Sequence, residues 1–409
     1  MVKSFRAFIL ARVRMDRVTK QLIASRLLSL ANVIPKDENK LLFYSTPDVS
    51  DNALALFKYV SRKTNDYELV WLLNNPSSPS VKVLKGRYSE AKTVPLYSIK
   101  GLKELLRAKF IITTDVLPVT PHLGQRVIQL WHGLPGKKTG YEHPLGIRDL
   151  YLYMDRWTTD FVTTSELVVG SFVRQFMINP RKFRILGQPR NDGLFDHMKD
   201  SKDTLSSILG IDVEAYDGVV LYAPTYRYTS YLKDFEASVR AVESLFRRDF
   251  IEFIREENIL LVIKPHKLVA EAVKSKVKVS SNVVLLTDEP LQSHLLNIND
   301  IMGAFDILIT DYSSIFEDYI LLNRPIVFYL PDREALEQKS GFLLPYEFFA
   351  PGKKPETVED LKRSLREYID DPQIDAEWRE TIKNLLYEVG QDNKSSERVY
   401  KHIIKGEFE

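Results

Sequence analysis

The stretch DILITDYSSIFEDYILLNRPIVFYL, residues 306–330, reads as strand, turn, helix and second strand. The run 305–310 is largely apolar and stops at Asp311, residues 314–323 have helical spacing, and 325–330 is apolar again. Unbroken apolar runs mark parallel strands covered on both faces, and the helix between them is the crossover that parallel pairing requires. Upstream the same grammar appears in GVVLYAPT (218–225), ILLVIKP (259–265) and NVVLLT (282–287), with helix-like segments near 234–256, 269–277 and 293–303. Helical segments near 357–370 and 374–404 follow.

An earlier set of strands comprises LLFYST (41–46), YELVWLL (67–73), FIITTD (110–115), RVIQLW (126–131), DFVTTS (160–165) and FRILG (183–187), with helices near 52–62, 99–107 and 166–177. Between the sets lies a polar stretch, 197–218, taken as the domain boundary. A chain of 409 residues suits two cores. The expected fold is α/β, with two Rossmann-like, doubly wound domains at 40–205 and 206–409 facing a central cleft, the last helices able to pack back on the first domain. Ligands of such sheets bind beyond the carboxyl ends of the strands.

The composition, 44% hydrophobic and 27% charged, is that of a folded globular chain. The formal net charge of +2 argues against a nucleic-acid partner, and the lack of cysteine excludes disulfides, thiol nucleophiles and cysteine-type metal sites. No phosphate loop, G-x-G-x-x-G, H-E-x-x-H or D-x-D motif is present, so neither a cofactor nor a metal is expected. Residues 1–39 form a basic N-terminal segment, with seven cations against Asp16 between Lys3 and Arg26. Phe5, Phe8, Ile9, Val13, Leu22, Ile23 and Leu27 recur there at roughly helical spacing. Such an amphipathic helix fits either a packing element or an anionic membrane surface.

Four clusters follow strands. WHGLPGKK (131–138) offers His132 as a general base, Gly133 for close backbone approach, and Lys137 and Lys138 as cations. GQPRND (187–192) offers Arg190 as a planar fork for phosphate, while Asn191 and Asp192 read as caps of the following helix. KPH (264–266) places Lys264 and His266 at the mouth of the second domain. TDYSS (310–314) places Asp311, Ser313 and Ser314 before a helix, where free N–H groups attract anions; Ser314 and Glu317 also match a capping box. APTYR (223–227) adds Thr225 and Arg227.

These clusters, in this order, resemble the CDP-glycerol glycerophosphotransferase family, which includes the teichoic acid primases and polymerases. The matching segments are IQLWHGLPGKKTGY, TTSELVVGSFVRQFMINPRKFRILGQPRND, VVLYAPTYR, LLVIKPH and DILITDYSSIFEDYILLNRPIVFY, spanning about residues 110–332. The resemblance implies a GT-B fold and a donor that is CDP-glycerol or a related CDP-polyol. It implies a catalytic histidine at His132 and diphosphate contacts from His266, Ser313 and Ser314. Its expected partners are a lipid-linked polyol-phosphate acceptor and the inner face of the cell membrane. On that expectation His132 deprotonates an acceptor hydroxyl, which attacks the β-phosphate and releases CMP. A GT-B glycosyltransferase using a nucleotide sugar is the rival enzyme, and a scaffold that has kept the fold is the non-catalytic alternative.

Overall fold

The computed structural model describes residues 34–407 apart from 118–123, 135, 137, 139, 143–153, 226–238, 241, 244, 267–268, 277–278 and 335–342. The amphipathic segment 1–26, Lys137 and Arg227 lie outside the described residues.

A first sheet contains β1 (Asp37–Tyr44), β2 (Glu68–Leu73), β3 (Lys92–Pro95), β4 (Ala108–Thr113), β5 (Arg126–Gln129), β6 (Asp160–Thr163) and β7 (Phe183–Ile185). All pair in parallel, in the order β3-β2-β1-β4-β5-β6-β7. A second sheet contains β8 (Gly218–Tyr222), β9 (Ile259–Ile263), β10 (Val283–Leu285), β11 (Ile307–Thr310) and β12 (Ile326–Phe328), also parallel, in the order β10-β9-β8-β11-β12. In both sheets the order reverses beside the first strand, where a doubly wound sheet opens its binding crevice.

Both faces of each sheet are covered, which explains the unbroken apolar runs. Leu41, Phe43 and Trp71 enter one core while Leu42, Val70 and Leu72 enter the core opposite, following the two-residue period of a strand. Phe43 stacks on Trp71 at 5.3 Å and meets Phe57 edge-on at 5.5 Å. Phe43→Ala would cost about 3–5 kcal/mol at this fully buried position. In the second sheet, Val220, Tyr222 and Leu261 face one core, and Val219, Leu221 and Leu260 the other. The latter core runs on into Phe161, Phe172 and Phe176 of the first lobe, so the lobes share apolar packing.

Three elements were not legible. Strand β3 is a short, half-exposed edge ending on Pro95, without the apolar run that marks its neighbours. Helix Pro79–Arg87 buries only Ser80, Val81 and Leu84. The polar stretch 197–218 carries a helix, Ser201–Leu209, that buries little beyond Leu205. The chain finally returns to the first lobe. Helix Ser395–Val399 continues as a π-helical turn, Tyr400–Lys405, whose Tyr400, Ile403 and Ile404 join the core of Leu41 and Phe57. Arg126 Nη1 donates to Ile403 O at 2.7 Å, and Arg398 Nε to Leu186 O at 2.8 Å.

Candidate active site

Strand β5 ends at Gln129, and two residues later Trp131 takes φ 53°, the left-handed region that costs an aromatic residue strain. Neighbours hold it there. Gln129 Oε1 accepts the Trp131 N–H at 2.9 Å, and Asn52 Nδ2 donates to Trp131 O at 3.0 Å. The reversal buries the indole and turns His132 outward into the cleft. The imidazole stacks on Trp131 with centroids 4.3 Å apart, and its Nδ1 lies 2.7 Å from Thr114 O. A carbonyl oxygen only accepts, so Nδ1 carries the proton and the neutral ring keeps its lone pair on Nε2.

The cleft between the lobes has a volume of about 600 Å³, the size of a nucleotide site. From the first lobe it is lined by His132, Gly133 and Arg190, and from the second by Thr225, Lys264, His266, Ser313 and Ser314. Residues 182 positions apart along the chain thus share one cavity, from His132 to Ser314. The two loops nearly touch: a Cβ on Gly133 would lie 3.4 Å from Ser314 Oγ. One on Gly136 would collide with the buried Glu317 carboxylate. At Gly136 the bare backbone leaves that carboxylate its place.

Several expectations change. Ser314 precedes helix Ile315–Tyr319 but makes no capping bond, because its φ −67° and ψ −4° are already helical; the capping box is not formed and the hydroxyl is exposed in the cleft. Asp311 does not line the cavity. It is buried, and its Oδ1 accepts the Thr225 N–H at 2.7 Å, so it positions that turn. Lys138 is not on the wall either. Lys264 is on the wall but already forms an ion pair with Asp288.

The largest revision concerns GQPRND. Arg190 is buried, with Nη1 3.2 Å from Asp51 Oδ1 and Nη2 2.8 Å from Asp318 Oδ2. Burial works against its charge, but the two carboxylates more than offset this and hold the guanidinium above its ordinary pKa. Its fork is therefore occupied by protein carboxylates rather than left open for phosphate. Asn191 does not cap the following helix; its Nδ2 donates to Tyr387 OH at 3.2 Å and its Oδ1 accepts from Asn299 Nδ2 at 2.8 Å. Asp192 caps a distant helix instead, accepting the Ser395 and Ser396 N–H groups at 2.8 Å each. Burial pushes the Asp192 carboxyl up to about 6, against the pull of those serines. The turn is thus a joint between the first lobe, the second lobe and the C-terminal helices. Asp51, Asn52, Asp318 and Tyr387 complete it; nothing in their local sequence sets them apart, since each works through a partner far along the chain.

Among the described residues no group of three or more His, Asp or Glu is placed to hold a metal ion, and no helix is long and apolar enough to cross a membrane.

Two doubly wound lobes with a shared nucleotide-sized cleft define the GT-B fold. A solved structure of the wall teichoic acid polymerase TagF, soaked with CDPG, superposes with a TM-score of 0.76 at 19% identity, covering 100% of both chains. The Staphylococcus aureus MnaA–UDP structure superposes at 0.55 with 13% identity, over 89% of this chain and 95% of that one. The family model for CDP-glycerol:poly(glycerophosphate) glycerophosphotransferase matches residues 27–405, and the chain belongs to that family. It is therefore a transferase of teichoic acid synthesis that transfers glycerol phosphate from CDP-glycerol. The teichoic acid poly(glycerol phosphate) polymerase of Bacillus spizizenii (strain W23) is 28% identical over 84% of this chain and 87% of its own length. The teichoic acid ribitol-phosphate primase of the same strain is 26% identical over 95% and 97%.

Proposed function

We propose that the chain transfers glycerol phosphate from CDP-glycerol to a hydroxyl of a lipid-linked polyol-phosphate acceptor, with release of CMP, at the inner face of the cell membrane. His132 Nε2 takes the proton of the acceptor hydroxyl. The oxygen forms a bond to the β-phosphorus while the bond from that phosphorus to the bridging oxygen breaks, and CMP leaves with the bridging oxygen. His266, Ser313 and Ser314 contact the diphosphate. Lys264 shares its ammonium between Asp288 and the phosphates, having three N–H donors. Thr225 completes the wall, held by Asp311. Arg190 acts at one remove, joining the lobes that carry the two halves of the site.

The observation that carries this reading is the orientation of His132. Its Nδ1–H is held by Thr114 O, so Nε2 is the basic atom, and the ring lines the same cavity as Ser313 and Ser314. A positioned general base contributes about 10²–10⁴ in rate. CMP release from CDP-glycerol in the presence of acceptor tests it, compared with UDP release from a UDP-sugar. Release of UDP but not CMP would overturn it in favour of glycosyl transfer. For the membrane, removal of residues 1–26 should weaken binding to anionic vesicles; equal binding with and without them would overturn their role as an anchor.

A further inference from the structure

We propose that the rim of the first lobe around β3 is a second membrane contact, a docking surface for an anionic bilayer with Tyr97 and Ile99 as its inserting side chains. The inference rests on the reading that the acceptor is lipid-linked, but it is separate from residues 1–26.

Tyr97 and Ile99 are 70% and 68% exposed, the two most exposed large apolar side chains among the described residues. They stand two positions apart in the turn from β3 into helix Ile99–Arg107. That helix buries Gly101, Glu104, Leu105 and Leu106. Its exposed residues, Ile99, Lys100, Lys103 and Arg107, fall within roughly 100° of one another around the axis. A cationic stripe therefore begins at an apolar head. The acid of this helix, Glu104, does not neutralise the stripe, because it is buried in ion pairs with Lys40 and Lys92. Across the edge strand, helix Pro79–Arg87 adds exposed Lys82 and Lys85, and the only exposed acid between residues 79 and 107 is Glu90.

Charge complementarity selects an anionic partner, and the paired apolar side chains select a bilayer over a soluble polyanion. A polyanion would engage the cations and leave Tyr97 and Ile99 in water, whereas an interfacial surface uses both. The placement suits the chemistry. All strands of the first sheet are parallel, so the turn after β3 lies on the same edge as the loop after β5 that carries His132. Four strand spacings separate β3 from β5 in the order β3-β2-β1-β4-β5, roughly 19 Å at ~4.8 Å per strand. The rim and the base therefore open on the same edge of the sheet.

The chain has no cysteine, so Tyr97→Cys provides a unique site for an environment-sensitive fluorophore in the full-length protein. Val279→Cys, at a side chain 64% exposed beside the amino end of β10, is the control. With phosphatidylglycerol vesicles the label at 97 should shift to the blue and brighten, the label at 279 should not, and phosphatidylcholine should move neither. The triple variant Ile99→Ser/Lys100→Glu/Lys103→Glu should partition onto anionic vesicles on the order of tenfold or more weakly. Its CMP release with a water-soluble acceptor should be unchanged. If the wild type binds vesicles while the label at 97 stays in water, or if the variant partitions as the wild type does, this surface is wrong and the membrane reading survives through another segment. If inorganic polyphosphate binds the wild type but not the variant, with the label at 97 unmoved on vesicles, the stripe is a polyanion site and the proposal falls. A wild type that ignores anionic vesicles would overturn both membrane readings and leave transfer from CDP-glycerol untouched.

Discussion

Arg190 of the first lobe and Asp318 of the second are joined beside the cleft at 2.8 Å, and the same guanidinium reaches Asp51 at 3.2 Å. Asp318 also takes the Tyr387 hydroxyl at 3.4 Å, which brings the C-terminal helices into the contact. The site is divided between two lobes, so the mutual orientation of the lobes is part of the chemistry, and this buried network sets it.

Arg190→Ala leaves two carboxylates without their cation. The expected cost is about 3–5 kcal/mol, the usual range when one partner of a buried pair is removed. Arg190→Lys should recover little, because an ammonium does not match the fork that spans Asp51 and Asp318. Urea unfolding midpoints measure this; a loss below about 1 kcal/mol would show that the pair does not hold the lobes.

Asn52 links the two loops of the first lobe that matter most. Its Nδ2 donates to Trp131 O, and its Oδ1 accepts the Arg190 N–H at 2.9 Å. Asn52→Leu should destabilise by about 1–3 kcal/mol through unsatisfied buried groups. It should also lower kcat, by releasing the backbone that aims His132. His132→Ala separates the two effects, with CMP release lower by about 10²–10⁴ at an unchanged thermal midpoint. Normal turnover in that variant would remove His132 from the mechanism.

Ser314 makes no capping bond, so Ser314→Ala should leave stability unchanged while raising KM for CDP-glycerol about tenfold, the value of one hydrogen bond to a charged group. A fall in melting temperature with unaltered KM would instead mark it as a structural serine.

Asp192 gives an inverted acid dependence. Its folded pKa is raised by burial to about 6 from an ordinary value of 3.8. Its contribution to stability is therefore fully present below about 3.8 and is lost as pH rises through about 6. The shift of about two units corresponds to roughly 3 kcal/mol. Most paired carboxylates act in the opposite sense, so the comparison is with Asp192→Asn across pH 4 to 7, the range that brackets the two values. The difference between the two unfolding curves should change across this window; parallel curves would place the Asp192 carboxyl at its ordinary value.

Much of the architecture was legible because parallel strands buried on both faces leave apolar runs such as LVWLL (69–73) around Trp71 and ILLVI (259–263) around Leu261. The edge strand at Lys92 and the helices at Pro79 and Ser201 bury too little to leave that signature. At the site, the strand-end rule brought His132, Lys264, His266, Ser313 and Ser314 to one cavity from local sequence alone. It also placed Arg190 on the wall, but the roles it suggests there, a phosphate fork at Arg190 and helix caps at Asn191 and Asp192, are not the ones their partners give them. Their partners lie 139, 108 and 203 positions away at Asp51, Asn299 and Ser395, and no local pattern carries such pairings.

The return of the final helix to the first lobe has a consequence for biosynthesis. Leu186 accepts its hydrogen bond from Arg398, 212 residues later, and Tyr400 fills the core beside Phe57. At about 5–20 residues per second, a ribosome needs roughly ten to forty seconds to bridge that interval. Throughout it the nascent first lobe displays an open apolar seam, which makes this the interval in which a chaperone has most to cover.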